Sequence, residues 1–182
     1  MQAILASTMR PVPSAPLPLR QRLQGSRGFT IVELAIAALI IGVLAAIAIP
    51  SFKRSLLAAR SDAVMNDLRV FAGSFQHYMQ DKGEWPEDSA PGQYPPGMEQ
   101  YLRSTAWLQK SAIGGRYNWE YMSMQNGTRV RAAIAVSSLD ENLVSTDRVQ
   151  LEDIDRRFDD GNLSTGMFRL GYELEPIYII EP

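Results

Sequence analysis

Residues 28–50 read GFTIVELAIAALIIGVLAAIAIP. From Phe29 to Ile49 this is 21 residues with one charge, Glu33. At 1.5 Å per residue a helix of that length spans about 31 Å, close to the ~30 Å hydrocarbon core of a bilayer. A helix apolar on every side must be surrounded by protein or by lipid. The roughly 130 residues that follow are too few both to enclose such a helix and to form a core of their own. The stretch therefore reads as a membrane-spanning helix, and an ionised Glu33 inside it calls for a partner.

On its N-terminal side the sequence changes character. Residues 1–28 carry Arg10, Arg20, Arg22 and Arg27 and no acid, with Pro11, Pro13, Pro16 and Pro18 opposing any helix. This segment is expected to be disordered or removed. Charge counting across the span favours a cytoplasmic N-terminus only weakly, because Lys53, Arg54 and Arg60 follow it. A basic leader before an apolar run also fits a secretory signal peptide, with Ala46-Ile47-Ala48 as a small-x-small cleavage pattern. Glu33 is the argument against that reading.

The combination of Gly28-Phe29, Glu33 on the fifth residue after Gly28, the uncharged run Leu34 to Ile49, Gly42 and the closing Pro50 resembles the processing and assembly signature of type IV pilins and type II secretion pseudopilins. The resemblance covers roughly residues 27–80. It implies cleavage by a prepilin peptidase between Gly28 and Phe29, then N-methylation of Phe29. It also implies that Glu33 pairs with the N-terminal amine of a neighbouring subunit, so that a slipped register leaves two charges uncompensated. The stretch from Gly42 to Pro50 is implied as a hinge. Further implied partners are other copies and other pilin-like subunits, an inner-membrane assembly platform and membrane lipid. The head would lie in the periplasm, or outside the cell in a surface pilus. A leader of 28 residues is long for the commonest pilins, and a start at Met9 would shorten it to 20.

Beyond Pro50, Phe52, Leu56, Ala59, Ala63, Leu68, Phe71, Phe75 and Tyr78 recur at helical spacing, opposite Arg54, Arg60, Ser61, Asp67 and Gln76. One helix from about Thr30 to Gln80 follows, kinked at Pro50 and stopped at Gly83, with Pro86 beyond. The turn Gly83-Glu84-Trp85-Pro86 again resembles pseudopilins. Residues 86–98 read as an irregular loop and 98–110 as a short helix. Alternation through Tyr117, Trp119 and Tyr121, the pair Asn126-Gly127, and alternation through Val130, Ala132 and Ile134 predict a β-hairpin whose aromatic row covers Phe71 and Phe75. Residues 146–158 are expected to be helical with Val149, Leu151, Ile154 and Phe158 inward, followed by strands at 167–171 and 176–180, with Pro176 at a strand start or edge.

Candidate chemistry is sparse. With no cysteine and His77 as the single histidine, disulfides, thiolate metal sites and poly-histidine centres are excluded. His77 reads as a surface or half-buried packing residue. No phosphate loop or nucleophile elbow occurs, so an enzyme is not expected. Asp155, Asp159, Asp160 and Asn162 form the densest oxygen cluster. The resemblance to major pseudopilins implies Ca²⁺ there, whereas Asp-Asp-Gly-Asn is equally the composition of a helix stop followed by a tight turn. Asn126-Gly127-Thr128 and Asn162-Leu163-Ser164 are formal glycosylation sequons in predicted turns. Residues 29–182 hold 14 basic and 20 acidic side chains, a net charge of −6. Arg129 with Arg131 and Arg156 with Arg157 make no continuous phosphate track, so nucleic acid is not an expected partner.

The expected fold is α+β: a long N-terminal helix, transmembrane in its first half, packed on a small antiparallel sheet. Its parts are a leader at 1–28, an assembly helix at 29–50, an amphipathic continuation at 51–81 and a head at 82–182. The expected function is that of a non-enzymatic pseudopilin in a type II secretion system. The alternatives are a major or minor pilin of a surface pilus, or a signal-anchored periplasmic binding module.

Overall fold

The computed structural model describes residues 28–182, so the proposed leader falls outside the described residues except for Gly28. The chain divides into two compact units at Val43/Leu44. In the first, helix α1 (Ile31–Lys82) begins, and every described residue up to Val43 is exposed, Ile31 at 86% and Leu39 at 68%. None of the described residues of this unit is buried, and its helical part belongs to a helix long and apolar enough to cross a membrane.

The second unit holds the rest of α1, α2 (Glu99–Leu102), β1 (Arg116–Gln125), β2 (Thr128–Ser137), α3 (Arg148–Phe158), β3 (Phe168–Leu170) and β4 (Pro176–Glu181). The strands form one sheet in the order β1-β2-β4-β3, antiparallel throughout. Asn126 and Gly127 join β1 to β2 with φ of 49° and 82°. Positive φ at both central residues is what a two-residue hairpin turn of matching twist demands, and glycine adopts it without strain. Pro176 opens β4, an interior strand, at the first position, where its missing N–H is tolerated.

The core is aromatic. Val64, Leu68, Phe71 and Phe75 of α1 are fully buried, as are Trp107, Tyr117 and Trp119. Phe75 stacks on Trp119 with centroids 3.8 Å apart, and Phe71 meets Tyr117 edge-on at 4.6 Å and Trp107 at 5.1 Å. The hairpin's aromatic row thus covers the helix face. The polar tips also find partners: Trp107 Nε1 donates to Gln93 O (2.7 Å), Trp119 Nε1 to Pro86 O (3.0 Å) and Tyr117 OH to Asp67 Oδ2 (2.7 Å). Phe75→Ala should lower the unfolding free energy by about 3–5 kcal/mol, since the void cannot collapse among rigid rings. Chemical denaturation of the full chain in detergent, followed by tryptophan fluorescence, measures it.

Four expectations need correction. The buried stripe of α1 runs through Ser61, Val64, Met65, Leu68, Phe71, Ala72 and Phe75. Phe52, Leu56, Ala59 and Ala63 are exposed, because the head covers the helix only from Ser61 onward and the steps through Ala59 and Ala63 drift off that stripe. Ser61 and Asp67 are not on a solvated face: Ser61 is buried with its hydroxyl donating to Leu57 O (3.1 Å), and Asp67 receives the Tyr117 hydroxyl. The helix expected at 98–110 is only the four-residue α2. Thr105 ends it by donating to Leu102 O (2.6 Å) while accepting from Trp107 N (3.3 Å), side-chain bonds that compete with helix continuation. Val149 is 74% exposed, because the Asp147 cap, accepting from Val149 N and Gln150 N, turns Gln150, Leu151, Ile154 and Asp155 inward instead.

At the end of α1, Gly83 N–H returns to Met79 O (2.9 Å). Trp85 then ties this turn to the last strand, its Nε1 donating to Glu181 Oε2 (2.6 Å) while Arg131 holds Glu181 Oε1 (2.6 Å).

Candidate assembly and metal sites

Thr30 and Glu33 build the start of α1 together. Thr30 Oγ1 accepts from Glu33 N (3.2 Å), and Glu33 Oε2 accepts from both Thr30 N (2.8 Å) and Thr30 Oγ1 (2.9 Å). This reciprocal arrangement satisfies helix-terminal N–H groups that would otherwise face an apolar medium. It was present in the sequence as Thr-x-x-Glu before an apolar run, a signal overshadowed by the charge of Glu33. Glu33 is exposed and meets no cation among the described residues, so its remaining oxygen, Oε1, is free for a group from outside the chain. Gly28 and Phe29, the expected processing pair, lie just before the cap and are also exposed.

Gly42 and Pro50 both lie inside α1, whose helical assignment runs through them without a break. Pro50 has no N–H, so the carbonyl of Ala46 loses its helical donor. A side chain at Gly42 would meet no other atom within 4 Å. Close packing among the described residues is therefore not what glycine serves there.

In the head, the structure brings Asp155, Asp159 and Asp160 together, with one carboxylate oxygen from each lying within 4.8 Å of the others. Asp159 caps the end of α3, its N–H donating to Asp155 O (2.6 Å), and its Oδ2 accepts from the amides of Met167 and Phe168. Gly166 makes that approach feasible, because a Cβ there would collide with Asp159 Oδ2. Asp160 accepts from Asn162 N (2.8 Å) and Thr165 Oγ1 (2.7 Å), which hold its carboxyl below the usual range. Asn162 serves the turn as well, its Oδ1 accepting from Ser164 N (3.1 Å). Both expected uses of these residues, helix stop and oxygen cluster, thus coexist.

Asp155 is different. It is fully buried, and among the described residues neither carboxylate oxygen has a hydrogen-bond partner of normal geometry; only the Gly161 amide is near enough to favour the charged form. Burial foremost, then the charges of Asp160 and Asp159, push its pKa up to about 6. An orphaned buried carboxylate facing two more is the donor chemistry of a hard cation such as Ca²⁺.

The remaining candidates have surface roles. His77 is exposed, its Nε2 lying 3.7 Å from Asp81 Oδ2 and its ring edge-on to Tyr101. Arg131 pairs with Glu181, and Arg157 with Asp62 and Asp153. Asn126 of the first sequon spends its amide on structure, Nδ2 donating to Leu170 O (3.0 Å) and Gly171 O (2.9 Å).

Residues 23–49 match the family described as the prokaryotic N-terminal methylation motif. Over 67 residues the chain is 39% identical to fimbrial protein EcpC of Eikenella corrodens, a match covering 37% of this chain and 44% of that protein; the chain thus spans less than half the length of this relative. Among solved structures, the major type IV pilin PilA1 from Clostridium difficile aligns at 15% identity with a TM-score of 0.49, covering 70% of this chain and 98% of that one. Among the described residues, the methylation motif thus falls on the apolar start of α1.

Proposed function

We propose that the chain is a pseudopilin of a type II secretion system: it is cut between Gly28 and Phe29, methylated on Phe29, and polymerised through α1 into a filament that drives protein export. The observation that carries this reading is Glu33, a single carboxylate in an otherwise apolar run with one oxygen turned to its own cap and the other free. After cleavage the new amine of Phe29 is a cation in the same apolar setting. Pairing it with Glu33 of a neighbour neutralises both and fixes the stagger between subunits. Gly42 and Pro50 supply the hinge that lets α1 adjust as it leaves the bilayer. Asp155, Asp159 and Asp160 would hold Ca²⁺, which would satisfy the orphaned oxygens of Asp155; Asn162 supports the turn. The absence of cysteine supports a pseudopilin over a pilin whose C-terminal loop is closed by a disulfide.

Intact mass and N-terminal sequence of membrane-extracted protein, made with and without a prepilin peptidase, test the core of this. A chain starting at Phe29 and heavier by about 14 Da, seen only with the peptidase, is the expected result. A chain starting at Ile49, or one uncut in both hosts, overturns it in favour of an exported or anchored module. The relative named a fimbrial protein favours a second reading, a pilin of a surface pilus. Deleting the gene separates the two: loss of secreted proteins from the medium supports the pseudopilin, and loss of surface filaments supports the pilin.

A further inference from the structure

The stretch of α1 just beyond its apolar run carries charge of one sign. No acidic residue lies between Glu33 and Asp62, whereas Lys53, Arg54 and Arg60 are all exposed, in a mature chain that is otherwise acidic. Basic residues gather on the cytoplasmic side of membrane helices, so three cations at the opposite exit oppose the topology rather than help it. They need another use.

Within the unit beginning at Leu44, a groove of about 370 Å³ lies between α1 and α3, with Arg54 and Leu57 on one wall and Val149 and Arg156 on the other. Its acids are already engaged, Glu152 by Arg148 and Asp153 by Arg157. Arg54 and Arg156 make no ion pair among the described residues. In the same groove Val149 is 74% exposed, whereas Phe52 and Leu56, 70% and 42% exposed, sit two positions along α1 from Arg54 and so on another side of the helix. Arg54 is five residues past Ile49, about 7 Å of helix, the depth of the headgroup layer on one side of a bilayer. Unpaired guanidinium groups beside the exposed Val149 match a surface that is negative outside and greasy beneath.

We propose that this groove docks on anionic phospholipid headgroups in the leaflet from which α1 emerges, with Arg54 and Arg156 binding phosphate and Val149 entering the interface, so that the head rests on the membrane until assembly lifts it off. The proposal rests on the membrane-anchored reading of α1.

The test uses the full chain, which has no native cysteine. Val149→Cys, labelled with an environment-sensitive fluorophore, is reconstituted into vesicles of phosphatidylcholine alone or mixed with phosphatidylglycerol. Docking gives a blue-shifted emission, quenched by spin-labelled lipid, only in the mixed vesicles, and high salt abolishes it. Adding Arg54→Gln and Arg156→Gln should lower the docking equilibrium constant about 25-fold, from about fivefold per cation near an anionic surface. The same label at Met124, exposed on β1, should not respond. Protein that floats with both kinds of vesicle while the Val149 label ignores phosphatidylglycerol overturns docking and leaves the anchor intact. A response that follows protein density rather than lipid charge overturns it in favour of a second copy. Protein that fails to float overturns the anchored reading, and docking with it.

Discussion

Glu33→Gln should leave processing at Gly28-Phe29 intact and abolish most filament assembly. Glutamine still offers an oxygen to Thr30 N and can keep the helix start closed. What it cannot do is neutralise an amine. Removing one partner of a buried ion pair leaves the other uncompensated and costs about 3–5 kcal/mol, a reduction of at least a hundredfold in the equilibrium for adding a subunit. Glu33→Ala loses both the cap and the charge. Comparing the two, by filament yield in sheared fractions and by the cleaved fraction on blots, therefore separates the roles. If Glu33→Gln assembles like wild type, the cap is the whole function of Glu33 and the register argument fails.

The second large effect is expected at Asp155. In chelator at pH 7, Asp155→Asn should raise the stability of the head by about 2 kcal/mol, since the variant removes a buried charge and its amide can donate to the neighbouring carboxylates. The sign with pH follows from the raised pKa of about 6. The protonated side chain is the form the fold prefers, so its stabilising contribution is complete below the ordinary carboxylate range and is lost as pH rises through about 6. The difference in melting temperature between variant and wild type should therefore shrink as pH falls from 7 to 4. Ca²⁺ should reverse the ranking at pH 7: a hundredfold excess over the dissociation constant stabilises wild type by about 2.7 kcal/mol and the variant by far less. Calorimetry in chelator and in Ca²⁺ measures both arms. A wild-type protein indifferent to Ca²⁺ would leave the cluster as a helix stop alone.

Much of this was legible in the sequence because it depends on local rules. The apolar run of α1, the Asn126-Gly127 turn and the alternation of Tyr117 and Trp119 each follow from backbone geometry or side-chain periodicity. The misreadings have two origins, tertiary contacts and side-chain bonds that compete locally with the helix. Ser61 and Asp67 are polar, and only packing and the distant Tyr117 make them inward residues. Thr105 ends α2 through its side chain, a competition that composition does not rank. At the start of α1 the residues are plain in the sequence but one role is not: Glu33 stands out by its charge, while its bond to Thr30 appears only with the helix start. The cluster at 155–160 was visible as composition. That Asp155 is the buried, unpartnered member appears only once α3 is packed.

The hairpin tip bears on how long the head survives chemically. Asparagine followed by glycine is the dipeptide most prone to lose ammonia, since the unhindered next amide can attack the side-chain carbonyl. Here both amide hydrogens of Asn126 are held by Leu170 O and Gly171 O, and its backbone sits at φ 49° in a closed turn. Conversion to aspartate would exchange two donors for a negative charge against two carbonyl oxygens, loosening β1 and β2 from β3. The folded hairpin thus shields the Asn126 side-chain amide, and unfolding exposes it to loss of ammonia.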